Sequence, residues 1–311
     1  MLDVDTFLTT VYVLVDEYAK AQQEEQAVRA SVGRPASLCA SEVITLAIFA
    51  QWGQFRSERA FYRYATRHLR RAFPGLPDRS QYNRLLRQQY PALVALLRGV
   101  AERLGAATCL YQVVDTTGVP TRQVKRRAVG WLPAYTAIGY CNRVGWFEGF
   151  RLLTGATEAG VVTGFAVAEA PRKDQPLAEA FFTARALPQP RTCSVGAWYG
   201  GYYVVDTGFE GRALRQHWAQ DLEALVVCMP NRSRPHGWPK ALRQWVAGVR
   251  QIAETVHARL IDTFGLTHDR PHSLDGFQTR LAAKLTLYNV CCWLNAQLAR
   301  PLLAFADSLD W

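Results

Sequence analysis

Two short segments of the sequence carry an apolar, β-type run directly into an aspartate. The first, LYQVVDTTG at residues 110–118, contains Asp115, and the second, YYVVDTGFEG at residues 202–211, contains Asp206. Each aspartate could simply start a turn, because Asp followed by Thr and Gly is common in turns. The repeated arrangement favours a second interpretation, in which two strands of one sheet end on these aspartates and bring both carboxylates to one edge. Such a pair would repel unless a divalent cation such as Mg²⁺ or Mn²⁺ lay between the two side chains.

A third acidic ligand for this cation is available on a long predicted helix. Glu254 lies in VRQIAETVHARL, beside the apolar stripe that contains Ile252 and Val256. If the helix packs this stripe against the sheet, the Glu254 carboxylate can reach the strand ends. The alternative is an ordinary exposed glutamate on a helix surface.

The helices and strands that must position these acids can be predicted from the pattern of apolar and polar residues along the chain. After Gly105 the sequence changes from helical to β patterns. The predicted strands are CLYQVVDTT, GWFEGFRLLTGAT, GVVTGFAVAEA, YYVVDTGFEG and EALVVCMP, and the predicted helices are DQPLAEAFFTARAL, RALRQHWAQDL and ALRQWVAGVRQIAETVHARLIDTF. Their order, β-β-β-α-β-α-β-α, predicts three antiparallel strands extended by two crossover units, and therefore an α/β fold with a mixed sheet.

The net charge of +10 is concentrated in the segment before this sheet. Residues 1–53 carry −4, whereas residues 54–104 carry eleven arginines, no lysine and three acids, which gives +8. Such a concentration is typical of a protein that binds a nucleic-acid backbone, although a solvated helix face is the alternative. The candidate DNA-binding residues in this segment are Arg63, Arg67, Arg70, Arg71, Arg84 and Arg87.

Helix signals in the N-terminal segment give this charge a framework. SEVITLAIFAQWG predicts a helix capped by Ser41 and ended by Gly53, SERAFYRYATRHLRRAF predicts a second, and SQYNRLLRQQY predicts a third under a Ser80 cap. Two helices joined by PGLPDR could form a helix-turn-helix variant. The sequence thus predicts a helical DNA-binding domain over residues 1–105 and a catalytic domain with C-terminal helices over 106–311.

Composition excludes several other classes of protein. With 49% hydrophobic and 20% charged residues the chain is globular, and its apolar runs are shorter than the ~20 residues of a membrane helix. Seven scattered cysteines and six histidines without zinc-type spacing predict reduced thiols and no structural zinc. The absence of a leader-type N-terminus predicts a cytoplasmic location.

The joint order of these motifs resembles a known family. Asp115 on the first strand, Asp206 on the fourth and Glu254 on the closing helix are similar to the ribonuclease H-like core of DDE transposases from bacterial insertion sequences, and in particular to the 982 group. VVDTTG, DTGFEG and the Arg250-x-x-x-Glu254 spacing resemble the blocks around the three acids, and ASEVITLAIFAQWGQFRSERAFYRYATRHL and TFGLTHDRPHSLDGFQTRLAAKLTLYNV resemble flanking segments. The family also has a Tyr and a Lys or Arg where this chain has Ala247 and Ile261.

The resemblance implies DNA transposition by two-metal-ion phosphoryl transfer. Two Mg²⁺ ions, for which Mn²⁺ can substitute, would be held by Asp115 as the bridging ligand, with Asp206 on one ion and Glu254 on the other. Water would first free a 3′-OH at the element end, and that hydroxyl would then attack target DNA. Double-stranded DNA, in element ends and target, is the implied partner, a homodimer on DNA is expected, and the cytoplasmic location would be nucleoid-associated.

The remaining basic residues have two open interpretations. Arg250 either pairs with Glu254 as a surface bridge or binds a DNA phosphate beside the acids. Arg122, Lys125, Arg126 and Arg127, between the first two predicted strands, either clamp the DNA backbone or form a solvated loop. Two other functions also stay open: a cellular nuclease on the same core, and a catalytically silent DNA-binding regulator.

Overall fold

The structure, a computed structural model, describes residues 2–25, 36–125, 130–186, 201–229, 237–306 and 308–311. These residues form two compact units. The first combines residues up to 100 with residues from 260 onward, and the second contains the described residues between 101 and 259. The sequence predicts a boundary at 105, close to this division, but residues 260–311 lie with the N-terminal helices and not with the predicted catalytic domain.

The first unit is built mainly of helices. Its elements are β1 (Leu2–Asp3), α1 (Val4–Glu25), α2 (Ala40–Phe49), α3 (Glu58–Tyr64), α4 (Arg79–Gln88), α5 (Tyr90–Arg103), α9 (Leu274–Gln297) and β8 (Leu309–Asp310), where α5 runs on into the second unit. The two short strands β1 and β8 pair in parallel. Most residues of helix α9 are buried, as expected for a central helix that is covered on all sides. Its Thr286 hydroxyl and Asn289 amide donate to the carbonyls of Leu93 and Leu97 on α5, both at 3.2 Å.

Two helix caps differ from the predicted ones. Helix α2 is capped by Cys39, whose sulfur accepts the Glu42 N–H while the Glu42 carboxylate accepts the Cys39 N–H at 2.7 Å, so Ser41 lies inside the first turn. The helix also ends at Phe49 and not at Gly53. Helix α4 is capped by Asp78, which accepts two backbone N–H groups at 2.8 and 3.0 Å and places negative charge at the helix N-terminus. The predicted Ser80 cap was therefore wrong by two residues.

The second unit contains a mixed sheet flanked by helices. Its elements are β2 (Tyr111–Gln123), β3 (Ala137–Cys141), β4 (Gly145–Thr157), β5 (Val162–Glu169), α6 (Asp174–Ala186), β6 (Gly201–Val205), α7 (Arg212–Asp221), β7 (Ala224–Cys228) and α8 (Lys240–Asp262), where α8 ends in the first unit. The strand order is β3-β4-β2-β6-β7, and β5 also pairs with β4. Strands β2, β3, β4 and β5 pair antiparallel, whereas β6 lies parallel to β2 and β7 parallel to β6. The predicted α/β class and mixed sheet are confirmed, and β3 is an additional strand.

The sheet separates two apolar layers, and residue alternation along its strands decides which layer each side chain enters. Val114 and Val205 pack in the layer formed with α6 and α7. Val113 and Val204 pack in the opposite layer, against residues of α8 that include Val246. Since side chains alternate along a strand, Asp115 shares the α8 face with Val113. None of the helices in the described ranges combines the length and apolar composition that crossing a bilayer requires.

Candidate active site

Asp115 and Asp206 lie at equivalent points of two neighbouring parallel strands. The pairing of β2 with β6 runs in register and ends at Val114 opposite Val205, so the next residue of each strand is one of the two aspartates. The prediction that the first strand ends at Asp115 was wrong, because β2 continues to Gln123 through its pairing with β4. What ends directly before Asp115, at Val114, is the pairing of β2 with β6. The two carboxylates are nevertheless brought to one edge, as the repeated motif predicts.

Burial dominates the environment of Asp115. Its Oδ1 accepts the Thr116 N–H at 2.8 Å. Burial raises the pKa of the Asp115 carboxyl to about 6, the Thr116 hydrogen bond and the Arg250 charge oppose this shift, and the charges of Asp206 and Asp174 add to it. A positive charge beside Asp115 would offset both the cost of ionising a buried carboxyl and the repulsion from the neighbouring carboxylates.

Asp206 is held by the turn that follows β6 and by an arginine of α8. It caps a short 3-10 turn, Thr207–Phe209, and accepts the Thr207 N–H at 2.7 Å. Arg250 Nη1 lies 3.0 Å from Asp206 Oδ1, with the arginine side chain 20% exposed and the aspartate side chain 43% exposed. The observed partner of Arg250 is therefore Asp206, and not the Glu254 carboxylate of the bridge interpretation.

Glu254 is an exposed residue of α8. Its backbone carbonyl accepts a hydrogen bond from Arg143 Nη2 at 3.3 Å. Across the ranges that the structure describes, no three histidine, cysteine, aspartate or glutamate side chains form a group that could hold a metal ion. Glu254 is thus on the helix that faces the two aspartates, but the three acids are not assembled as one metal-binding cluster.

The aspartate pair itself fits a hard divalent cation in its chemistry. Mg²⁺ is commonly bound through one or two carboxylates, with waters and substrate phosphate oxygens as its other ligands. Asp115 and Asp206 supply two carboxylates on adjacent strands, and the Arg250 guanidinium already provides positive charge to Asp206. The residues that could hold such an ion are therefore Asp115 and Asp206, with Glu254 as a further ligand if its exposed side chain turns toward them.

Asp174, which the sequence analysis missed, connects the segments that follow both aspartates. Its Oδ1 accepts the Thr116 hydroxyl at 2.8 Å and Arg151 Nη1 at 2.9 Å. A Cβ placed on Gly208 would lie 2.6 Å from Asp174 Oδ2, so a larger residue there would displace this carboxylate. The topology could have revealed Asp174. Strand β5 runs parallel to β2, because both pair antiparallel with β4, so α6, which follows β5, begins at the edge where Asp115 lies.

The predicted basic loop divides into residues with different surroundings. The Arg122 guanidinium binds the Glu148 carboxylate through Nε at 2.9 Å and also through Nη2, and both side chains are largely buried. Lys125 is exposed. Arg126 and Arg127 lie outside the described residues. Arg122 is therefore committed to an internal ion pair, which leaves Lys125 as the described residue of this loop that is free to meet solvent or DNA.

The predicted arginine surface lies on α3, α4 and the turns that follow α3. All six predicted DNA-binding arginines of this segment, Arg63, Arg67, Arg70, Arg71, Arg84 and Arg87, are exposed. Helix α3 passes directly into a π-helical turn, Ala65–Leu69. An open pocket of about 670 Å³ is lined here by Arg63, Tyr64, Thr66, Arg67 and His68. Two guanidinium groups, a hydroxyl and an imidazole around one opening can bind an anionic group such as a phosphate.

Comparison of the chain with family models, curated proteins and solved structures gives no match.

Proposed function

We propose that the chain is a DDE-type DNA transposase with a ribonuclease H-like catalytic core. The observation that carries the proposal is the register of β2 and β6, which places Asp115 and Asp206 side by side after the last paired residues. Both aspartates are associated with α8, because Asp115 lies on the α8 face of the sheet and Arg250 of α8 pairs with Asp206. Glu254 is one helical turn from Arg250 on the same helix.

The order of elements supports the proposed core. Strand β3 pairs with the first part of β4 only, so the succession β2, β4, β5, α6, β6, α7, β7, α8 keeps the order of the family's core. In this succession the three acids fall on the first strand, directly after the fourth strand, and on the closing helix.

The residues of the chain would have separate tasks in the reaction. Asp115 and Asp206 would bind the divalent cations, with Glu254 completing the set. Bound there, the ions supply activation of the attacking oxygen and stabilisation of the leaving oxygen. The Thr116 and Thr207 N–H groups orient the two carboxylates. Arg250, displaced from Asp206 by an ion, would be free to bind a DNA phosphate with its fork of donors.

The proposed partner is double-stranded DNA, both as element ends and as target. The exposed arginines of α3 and α4 and the pocket around Arg63 and Arg67 support this part of the proposal. Their binding should be steeply salt-dependent, since each phosphate that a basic residue neutralises releases counterions. Joining two element ends to one target calls for a homodimer on DNA, and a DNA-bound enzyme of this kind would be nucleoid-associated in the cytoplasm.

Cleavage of DNA that carries the element ends tests the proposal. Asp115→Asn, Asp206→Asn and Glu254→Gln should each abolish Mg²⁺-dependent cleavage and leave DNA binding largely intact. Glu158→Gln is a matched control, because Glu158 is an exposed glutamate at the turn between β4 and β5, and it should cleave at the wild-type rate. Full activity in any of the three acid variants would remove that residue from the proposed site.

A further inference from the structure

The hairpin formed by β3 and β4 carries an exposed pair of aromatic side chains. Tyr140 and Trp146 are direct cross-strand partners, and their ring centroids lie 5.5 Å apart. Tyr140 is 48% exposed and Trp146 is 68% exposed. Aromatic side chains dominate burial in cores and interfaces, so two adjacent rings left in solvent point to a ligand that covers them.

The aromatic pair lies on the face of the sheet that holds the candidate active site. Alternate residues of β4 share one face, so Trp146 is on the same side as Thr154. Thr154 is paired with Asp115, and its hydroxyl lies 2.9 Å from His257 Nε2 on α8.

The turn of the same hairpin reaches α8. Arg143, between the two aromatic residues in sequence, donates to the Glu254 carbonyl at 3.3 Å. The exposed rings are therefore linked to the predicted third acid, Glu254, through the hairpin turn that contains Arg143.

The charge around the pair is suited to a nucleic-acid strand. Between residues 130 and 147 the sequence has one charged residue, Arg143, and no acid. The end of β2 lies beside the hairpin, since Gln123 pairs with Phe147, and Lys125 is exposed just beyond it. Glu148, the nearest acid on β4, is neutralised by Arg122. The hairpin surface thus combines two π-faces with two exposed cationic side chains, Arg143 and Lys125, and Glu254 is the exposed acid beside its turn.

We infer that Tyr140 and Trp146 form a stacking platform for an unpaired base of the DNA strand at the active site. This inference rests on the proposed function, since it takes the strand to be the one cleaved or joined beside Glu254. Bases within a duplex are already stacked on their neighbours, so the platform serves a base in a single-stranded or frayed end. Stacking tolerates any base, and the platform therefore holds the strand end without reading its sequence.

Binding of a single-stranded oligonucleotide tests the platform. The probe is fluorescein-labelled oligo-dT, its anisotropy is measured in EDTA, and a fully paired duplex of equal length serves for comparison. Trp146→Ala and Tyr140→Ala should each weaken oligo-dT binding by about tenfold, as expected when one stacking partner is removed. Trp146→Phe keeps an aromatic face and should retain most of the affinity. Duplex binding should change by less than about twofold, because the bases of a paired duplex do not reach the platform.

The chain offers a matched control on α8. Trp245 is 45% exposed and also packs against a tyrosine, with its ring 5.3 Å from that of Tyr111. It lies nine residues before Glu254, about 13 Å along the helix. Trp245→Ala removes an exposed, tyrosine-packed tryptophan away from the hairpin and should bind oligo-dT as the wild type does.

Wild-type oligo-dT affinity in both Trp146→Ala and Tyr140→Ala would overturn the inference. If these variants also lose self-association in sedimentation analysis of the DNA-free protein, the hairpin is a protein–protein interface. Because binding is measured without metal, the outcome is independent of cleavage. If the wild-type protein does not cleave DNA but the variants bind oligo-dT more weakly as expected, the platform stands and the transposase proposal is rejected. If the wild type cleaves DNA but the variants bind oligo-dT normally, the transposase proposal stands and the platform is rejected.

Discussion

Replacing Asp115 by asparagine should stabilise the protein against unfolding when no divalent cation is present. Burial raises the pKa of Asp115 to about 6 from its ordinary value of 3.8, so the folded state disfavours the ionised carboxylate. Since one pKa unit corresponds to about 1.4 kcal/mol, ionisation of this group lowers the free energy of unfolding by about 3 kcal/mol above pH 7. Asparagine cannot ionise, and its side-chain oxygen can still accept the Thr116 N–H.

The pH dependence of this effect has a definite sign. The unfolded carboxyl releases its proton near pH 4 and the folded one near pH 6, so the folded state binds more protons between these values and wild-type stability falls as pH rises. The advantage of Asp115→Asn should be about 1 kcal/mol near pH 4.5 and should reach about 3 kcal/mol above pH 7. Adding Mg²⁺ should then narrow the difference, because an ion that binds the folded wild type stabilises it.

Urea unfolding in EDTA at pH 4.5 and pH 8 measures this difference. Asp262→Asn is the control, since Asp262 is an exposed carboxylate at the end of α8, and it should shift stability by less than about 0.5 kcal/mol at either pH. If Asp115→Asn is no more stable than the wild type at pH 8, the Asp115 carboxylate ionises without penalty. The argument that this site awaits a cation would then be wrong.

Three further predictions concern the residues around the acid pair and the arginine surface. Arg250→Ala should change the free energy of unfolding by no more than about 1 kcal/mol, because its partner Asp206 is 43% exposed. The same variant should cleave DNA at least tenfold more slowly, and Arg250→Lys should recover part of the rate. Wild-type cleavage by Arg250→Ala would exclude a role in phosphate binding. Gly208→Ala should lower the free energy of unfolding by about 1 kcal/mol, because the new Cβ would lie 2.6 Å from Asp174 Oδ2 and would displace a carboxylate that accepts hydrogen bonds. In calorimetry this loss should shrink when Asp174 is also alanine, and strictly additive effects would refute the clash. Replacing the pocket residues Arg63 and Arg67 by glutamine should weaken the salt dependence of duplex binding. The slope of log affinity against log salt concentration should fall by about one for each phosphate that is no longer neutralised. An unchanged slope would mean that DNA binds elsewhere.

Much of the second unit was predictable from residue periodicity. The predicted strand GWFEGFRLLTGAT coincides with β4, Gly145–Thr157, and the predicted helices over α6, α7 and α8 agree with the structure to within two residues at each end. These segments are long or strongly patterned, so local sequence decides them. Strand β3 escaped prediction because AIGYC contains Gly139 and lacks the run of valines found in β6 and β7, and its strand character comes from pairing with β4.

The interactions within the site depend on tertiary structure, and they were harder to predict from the sequence. The i, i+4 spacing correctly puts Arg250 near Glu254 on the helix, but the arginine pairs with Asp206, which is 44 positions away in sequence. Local turn chemistry suggested that the first strand ends at Asp115, whereas antiparallel pairing with β4 extends it to Gln123. Asp174 lies 59 positions after Asp115, and only the packing of α6 on the sheet brings the two together.

Joining of a pre-cleaved DNA end is the most direct assay for the proposed transposase. The substrate is duplex DNA ending in a free 3′-OH at the element terminus, and it is mixed with a target plasmid, Mg²⁺ and the purified full-length protein. We expect the wild type to join the 3′-OH covalently to plasmid DNA in Mg²⁺ but not in EDTA. Asp115→Asn and Asp206→Asn should not join it, despite normal DNA binding. Hydrolysis of the DNA without joining would identify a nuclease, and binding without any reaction would identify a regulator; either result would contradict the proposed transposase.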